Sequence, residues 1–390
     1  MTIRSIAIIE SLGDVGIGTY AYELAEGLAT SGCEVDVYSP PFTPLRDWPR
    51  RHRLRLEMPS VRAGTPRALA SIRWRLDPAL LAWKLRRRRY DIVWTQWPAI
   101  MGNTLFWRYA RALGLRVVHT VHNVLPHEEK GGDQQRMDVV YRLSDALVVH
   151  SQSARNALSA RFPDTTSKSI IEPLGLYSCY PKPEVDRSTV RQRLAIDPTA
   201  TVILAFGWVR PYKNIESLIG ALAQPGIPPV VLVIAGRETG YASPQPTGGD
   251  ELARMREAAR ESGVLDRVRF VPGHLTEGEA ADLLAASDIV ALPYLESYGS
   301  AQLLLAMTTG RYVLATATGG MEEYMASYAA HTLILGPKPE DIADAIRKAV
   351  ARLPSITSVD RKLPKEWSWP EIARNSVSAL EKVLGPDLAR

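Results

Sequence analysis

Val202-Ile203-Leu204-Ala205-Phe206-Gly207-Trp208-Val209-Arg210-Pro211-Tyr212-Lys213-Asn214 decides the fold. Five apolar residues without a polar break read as a strand buried on both faces, the habit of parallel sheets. Gly207 and Pro211 punctuate a turn, and residues 215–222 then carry apolar side chains at helical spacing. Strand, turn and helix make the first half of a βαβ unit. The turn holds two cations, Arg210 and Lys213, at a helix start. A positive side chain there opposes the helix dipole, so the pair is poorly placed for stability alone. An anion resolves the conflict, because two cations and free backbone N–H groups can hold a diphosphate. The plain alternative is two solvated surface cations.

The same strand-then-helix order runs outward in both directions. Residues 6–9, 34–38, 91–95, 117–121 and 146–149 read as strands of the first half, with helices at 19–29 and 103–113 among them. Residues 230–235, 268–271, 289–292 and 312–315 continue the second half, with helices at 251–261, 277–286, 301–309 and 342–352. Such alternation predicts α/β architecture with parallel sheets. At 390 residues one core is too few, so two domains are expected. The boundaries fall at 1–175, a proline-bearing linker at 176–200, a second domain at 201–366, and a helix within 367–390 that crosses back to the first domain. Two such domains face each other across a cleft, where a ligand sits beyond the strand ends.

Bulk properties exclude several classes. No apolar run is long enough to span a membrane, and the first residues read as a strand rather than a signal peptide. Two cysteines make no disulfide framework and fit a reducing cytosol. The net charge of +5 is uneven, with 14 basic against 3 acidic residues within 43–90. Trp74, Leu80, Leu81, Trp83 and Leu85 interleave with the arginines there. Peripheral contact with an anionic membrane fits that mixture. A solvated surface is the alternative, and no nucleic-acid motif accompanies the charge.

Three further turns carry candidate residues. Gly13-Asp14-Val15-Gly16-Ile17-Gly18 follows the first strand, and Gly16 and Gly18 allow close approach of an anion. A plain tight turn is the other reading. Pro293-Tyr294-Leu295-Glu296-Ser297-Tyr298-Gly299-Ser300 offers a carboxylate and small hydroxyls to a sugar at Glu296, Ser297, Gly299 and Ser300, unless Glu296 only caps a helix. Glu323 follows a later strand in the same way. His119, His122 and His127 cluster, but strand alternation points His119 and His122 apart, so no metal site is expected. His122 reaches the cleft, and His119 reads as buried.

In order and spacing over most of the chain, these residues resemble glycosyltransferase family 4, the group 1 retaining transferases of GT-B fold. The resemblance is carried by Gly16-Ile17-Gly18, the turn from Gly207 to Lys213, Ile234-Ala235-Gly236, Pro293, Ala306-Met307, Gly310 and Gly319-Gly320 with Glu323. It implies that Arg210 and Lys213 bind the donor diphosphate, that Gly16 faces the phosphate, and that His122 contacts the transferred sugar. It implies a nucleotide diphosphate sugar as donor, no cofactor or metal, and retention of configuration. The chain departs from the pattern where Trp208 stands in place of an arginine and Leu305 in place of the second acid. The expectation is therefore a transferase acting on a glycan or lipid-linked acceptor at the cytoplasmic face of the membrane. Its rivals are a non-catalytic sugar-nucleotide-binding or scaffold relative and a nucleotide-sugar epimerase.

Overall fold

A computed structural model describes residues 3–13, 15–41, 43–58, 67–98, 104–126, 131–237, 251–297, 299–357 and 360–385. The chain forms two compact units, Met1–Gly175 with Lys365–Arg390, and Leu176–Pro364.

Unit 1 runs β1 (Ser5–Ile9), α1 (Val15–Thr30), β2 (Glu34–Tyr38), β3 (Arg53–Arg55), α2 (Arg67–Arg88), β4 (Ile92–Thr95), α3 (Leu105–Ala112), β5 (Val117–Thr120), α4 (Asp133–Leu143), β6 (Ala146–Val149), α5 (Gln152–Arg161) and β7 (Ser169–Ile171). Its seven strands are all parallel, in the order β3-β2-β1-β4-β5-β6-β7. Unit 2 runs α6 (Arg187–Arg193), β8 (Thr201–Phe206), α7 (Ile215–Leu222), β9 (Val230–Gly236), α8 (Glu251–Glu261), β10 (Val268–Pro272), α9 (Glu277–Ala286), β11 (Ile289–Leu292), α10 (Ala301–Thr308), β12 (Tyr312–Thr316), α11 (Met321–Met325), β13 (His331–Ile334) and α12 (Pro339–Arg352). Its six strands repeat that plan as β10-β9-β8-β11-β12-β13. In each unit the winding reverses beside the first strand, between β1 and β4 and between β8 and β11. Such a switch point opens a crevice at the strand ends, where ligands bind.

The last helix, α13 (Trp369–Leu384), belongs to unit 1. Trp369, Ile372 and Leu380 join Ile6, Ile8, Leu24, Leu28 and Trp94 in one buried cluster. The stretch 176–200, read from sequence as a linker, is folded into unit 2. The buried Arg191 explains this. Its guanidinium donates to the carbonyls of Ala286 at 3.0 Å, Pro198 at 2.7 Å and Ala200 at 2.9 Å, and pairs with Asp288 at 2.8 Å. A proline-rich, charged segment looked like a spacer because its anchoring to unit 2 depends on the Ala286 carbonyl and the Asp288 carboxylate, both far along the chain.

Asp36 shows where part of the basic charge goes. It is buried inside β2 and receives Nε of Arg53 at 2.6 Å, with Arg55 and Tyr90 also donating to it. Burial raises its carboxyl's pKa, but these donors outweigh that and hold it below the usual carboxylate range. Glu57 similarly pairs with Lys84 and Arg88.

Candidate functional site

The carboxyl end of β8 is built by glycine. Gly207 continues the ladder, donating to the Ala235 carbonyl at 2.9 Å, and then turns through φ +93°. Opposite it, Gly236 lies so close that a Cβ would stand 1.8 Å from the Gly207 carbonyl oxygen. The chain then passes Arg210 into a short 3-10 turn, Pro211–Lys213, and Asn214 takes a left-handed conformation before α7 begins. This geometry turns Lys213 inward rather than outward.

Lys213 is only 2% exposed. Its Nζ donates to the Phe206 carbonyl at 3.1 Å and stands 5.6 Å from the centre of the Tyr294 ring. Among the described residues no carboxylate pairs with it. Burial first, and the charge of Arg210 second, bring its pKa down from 10.5 to about 7. The ammonium therefore sits where a compact anion would relieve it.

Other side chains gather around this point. Arg210 and Arg237 both lie over the Trp208 ring, at 5.7 and 4.0 Å. Trp208 thus acts as a platform for two guanidinium groups. The Gln302 amide reaches the same spot, since a Cβ on Gly207 would meet its Nε2 at 2.8 Å. Leu295 N donates to the Tyr212 carbonyl at 2.8 Å, tying the loop after β11 to the lysine turn. Arg237 and Gln302 escaped sequence reasoning, which gave Trp208 and Tyr294 no role of their own. Only the position of Arg237 and Tyr294 just beyond strand ends could have flagged them.

The remaining unit 2 candidates divide. Glu296 is exposed beside Tyr212, whose hydroxyl is raised by burial, lowered by Arg210 and raised again by Glu296. Ser297 is buried and donates to the Gly299 carbonyl at 3.2 Å. Ser300 caps α10, accepting from Leu303 N at 3.1 Å. Glu323 is exposed in the first turn of α11. Leu305 is buried with its neighbours on α10. Tyr298 lies outside the described residues.

In unit 1 the glycine turn differs from expectation. Helix α1 starts at Val15, so Gly16 and Gly18 lie within its first turn rather than in a loop before it, Gly16 exposed and Gly18 buried. The buried Glu10 carboxylate explains why the preceding turn is closed. It accepts from Leu12 N at 2.7 Å and Gly13 N at 2.9 Å, so those amides already hold an anion. Asp14 and His127 lie outside the described residues.

His122 stands just past the carboxyl end of β5, one strand beyond the unit 1 switch point. Its Nε2 is 3.2 Å from Gln96 Oε1, and its Nδ1 is 3.2 Å from Nε2 of His150. His150 Nδ1 lies 3.1 Å from the Glu172 carbonyl. Burial, with the neighbouring histidines adding to it, holds His122 well below its usual pKa; burial, opposed by the bond to the Glu172 carbonyl, brings His150 to about 4. Tyr20 lies edge-on to both rings and donates to the Glu172 carboxyl at 2.8 Å, which also accepts from Ser376 of α13. His119 is buried, 2.8 Å from Thr95 Oγ1. Beside His122 a cavity of about 260 Å³ is lined by Trp97, Thr104, Asn123, Met137 and the ion pair of Asp133 with Arg136.

Residues 186–355 match the family model for Glycosyl transferases group 1, and residues 15–171 that for Glycosyltransferase Family 4. The chain is 27% identical to a D-inositol 3-phosphate glycosyltransferase of Actinosynnema mirum over 88% of its own length and 86% of the relative's. It is 29% identical to that of Rhodococcus erythropolis over 69% of its length, and this match spans only 63% of the relative. Among solved structures it resembles Anabaena Alr3699/HepE in complex with UDP and glucose, at a TM-score of 0.71 and 17% identity over 98% of both chains. It also resembles WaaG, a glycosyltransferase involved in lipopolysaccharide biosynthesis, at 0.60 and 20% over 97% of both. At these identities the structural likeness speaks for the GT-B fold.

Proposed function

Because the chain belongs to the group 1 glycosyltransferases of family 4, we propose that it moves a sugar from a UDP- or GDP-sugar to a glycan or lipid-linked acceptor with retention of configuration. The observation that carries this reading is Lys213, a buried ammonium without an acid partner among the described residues, at the switch point of unit 2. A diphosphate supplies the missing charge. As the anomeric C–O bond breaks, negative charge grows on the leaving diphosphate, and Lys213, Arg210 and nearby backbone N–H groups stabilise it. The acceptor oxygen bonds to the anomeric carbon from the leaving-group side, and its proton passes to the departing phosphate oxygen. No protein base and no metal is needed. His122 contacts the transferred sugar, and the acceptor enters the cavity lined by Thr104, Asn123 and Arg136. UDP in complexes of the Anabaena protein supports a nucleotide donor. The relatives' names support a small phosphorylated acceptor as an alternative to a lipid.

A panel of UDP-, GDP- and ADP-sugars, read by thermal stabilisation and by sugar release, tests this. The absence of binding to every one would defeat it. The buried Leu305 favours one second reading, a donor-binding relative without transfer. Binding without hydrolysis or transfer would decide for it.

The acceptor's setting is read from α2. Ile72, Leu76, Leu80 and Trp83 are each about half exposed and recur at helical spacing, while Leu81, Ala82 and Leu85 bury the opposite face. Arg75, Arg86 and Arg87 flank the exposed stripe, with Arg87 over the Trp83 ring at 4.8 Å. Basic residues beside an apolar stripe fit the interface of an anionic membrane, at its cytoplasmic face. Among the described residues no helix is long and apolar enough to cross a membrane. Flotation with phosphatidylglycerol vesicles but not with phosphatidylcholine is expected. Equal flotation of a Leu80→Glu, Trp83→Glu variant would remove the claim.

A further inference from the structure

We infer that His150 sets the tautomer of His122, so that His122 keeps its proton on Nδ1 and offers its Nε2 lone pair to a substrate hydroxyl. The Glu172 main-chain carbonyl can only accept, so the 3.1 Å contact requires a proton on His150 Nδ1. A neutral His150 then has a lone pair on Nε2. The 3.2 Å contact between the rings therefore runs from His122 Nδ1–H to His150 Nε2. A neutral His122 is left with a lone pair on Nε2, facing the Gln96 amide at 3.2 Å. Only the NH2 of that amide can donate to it, so the amide sits with NH2 toward His122. The turned amide leaves its oxygen, rather than its NH2, at the buried position that has no partner, and an unpaired buried carbonyl is the commoner of the two.

Neutral rings are what burial enforces here, since an imidazolium pair 3.2 Å apart would repel in a poorly solvated site. Tyr20 packs edge-on to both rings and holds their planes. His122 lines the unit 1 cavity, so a sugar hydroxyl arriving there displaces Gln96 and donates to Nε2. His150 is a positioning residue. The substrate part rests on the transferase reading; the tautomer does not.

The test labels the seven histidines of the full chain with nitrogen-15 and assigns His122 by its loss in His122→Asn. The expected wild-type spectrum shows His122 protonated on Nδ1, with no substrate present. His150→Phe removes the acceptor and should move the proton to Nε2. His150→Gln places an oxygen where Nε2 stood and should keep it on Nδ1. With a turned-over donor, kcat/KM should fall about tenfold in His150→Phe, the worth of one hydrogen bond, and recover to within about threefold in His150→Gln. An Nε2–H wild-type His122 overturns the inference by itself, even if His150→Phe does not fold. So does an unmoved proton in His150→Phe, or an equal loss of rate in both variants. If no donor is turned over at all, the transferase reading fails while the spectrum still decides the tautomer.

Discussion

Replacing Lys213 by methionine should make the empty protein more stable and blind to its donor. The lysine's pKa falls from 10.5 to about 7 on folding. At about 1.4 kcal/mol per unit, holding that charge opposes folding by about 5 kcal/mol at low pH. Below pH 7 both folded and unfolded chains carry the proton, and the penalty is constant. Between pH 7 and 10.5 the unfolded chain holds a proton the folded chain lacks, so stability rises with pH by about 1.4 kcal/mol per unit. Methionine keeps the aliphatic stem and drops the charge, losing only the bond to the Phe206 carbonyl, worth about 1 kcal/mol. Hydrogen exchange at amides of β8 and α7 reads the stability of unit 2. From pH 6.5 to 9 the wild type should gain about 3 kcal/mol more than Lys213→Met. UDP at a hundredfold over its Kd should protect the wild type by about 2.7 kcal/mol and the variant hardly at all. The same pH response in both proteins, or equal protection by UDP, would refute the argument that this cation awaits a diphosphate. With a turned-over donor, Lys213→Ala should lower kcat roughly 10²–10³-fold.

Three other changes probe neighbouring claims. Gly207→Ala forces a side chain into a φ of +93° against Gln302 and Lys213, so it should destabilise unit 2 by about 1–2 kcal/mol and weaken UDP binding at least tenfold by calorimetry. Glu172 is raised from 4.5 to about 7, mainly by burial, so its contribution is full at pH 4.5 and lost as pH rises through 7. Glu172→Gln should therefore match the wild type at pH 4.5 and exceed it by about 3 kcal/mol at pH 8 in chemical denaturation. Leu380→Ala should cost about 2–5 kcal/mol, seen as faster exchange in β1 and β2 with the amides of β8 unchanged.

Sequence pattern carried the fold where burial was symmetrical. The strands β6 and β11 fall at the residues expected because each is a short apolar run covered on both faces, and β2 does so although Asp36 interrupts its buried residues. β3 was missed because Arg53-Leu54-Arg55 is an edge strand whose arginines serve the buried Asp36. β7 and β13 were missed because Ser169–Ile171 and His331–Ile334 are too short and mixed to show a period. At the site, the order of glycine, arginine and lysine after β8 was legible, since dipole logic marks cations at a helix start. What could not be read was the company Lys213 keeps. Gln302 and Tyr294 come from other elements and reach it only in space, as Arg237 reaches the neighbouring Trp208. The closing of the first glycine turn by Glu10 was equally hidden, because a carboxylate ending a strand looks like any other.

The placement of α13 has a consequence for how the protein is made. Unit 1 is interrupted by the whole of unit 2 and regains its last core residues only at the end of the chain. A ribosome delivers Met1–Gly175 long before Trp369, Ile372 and Leu380 emerge. During that interval the sheet of unit 1 lacks its closing apolar helix, and the half-finished face needs shielding from aggregation. Unit 2, continuous in sequence, can complete itself first, so the order of maturation runs against the order of synthesis.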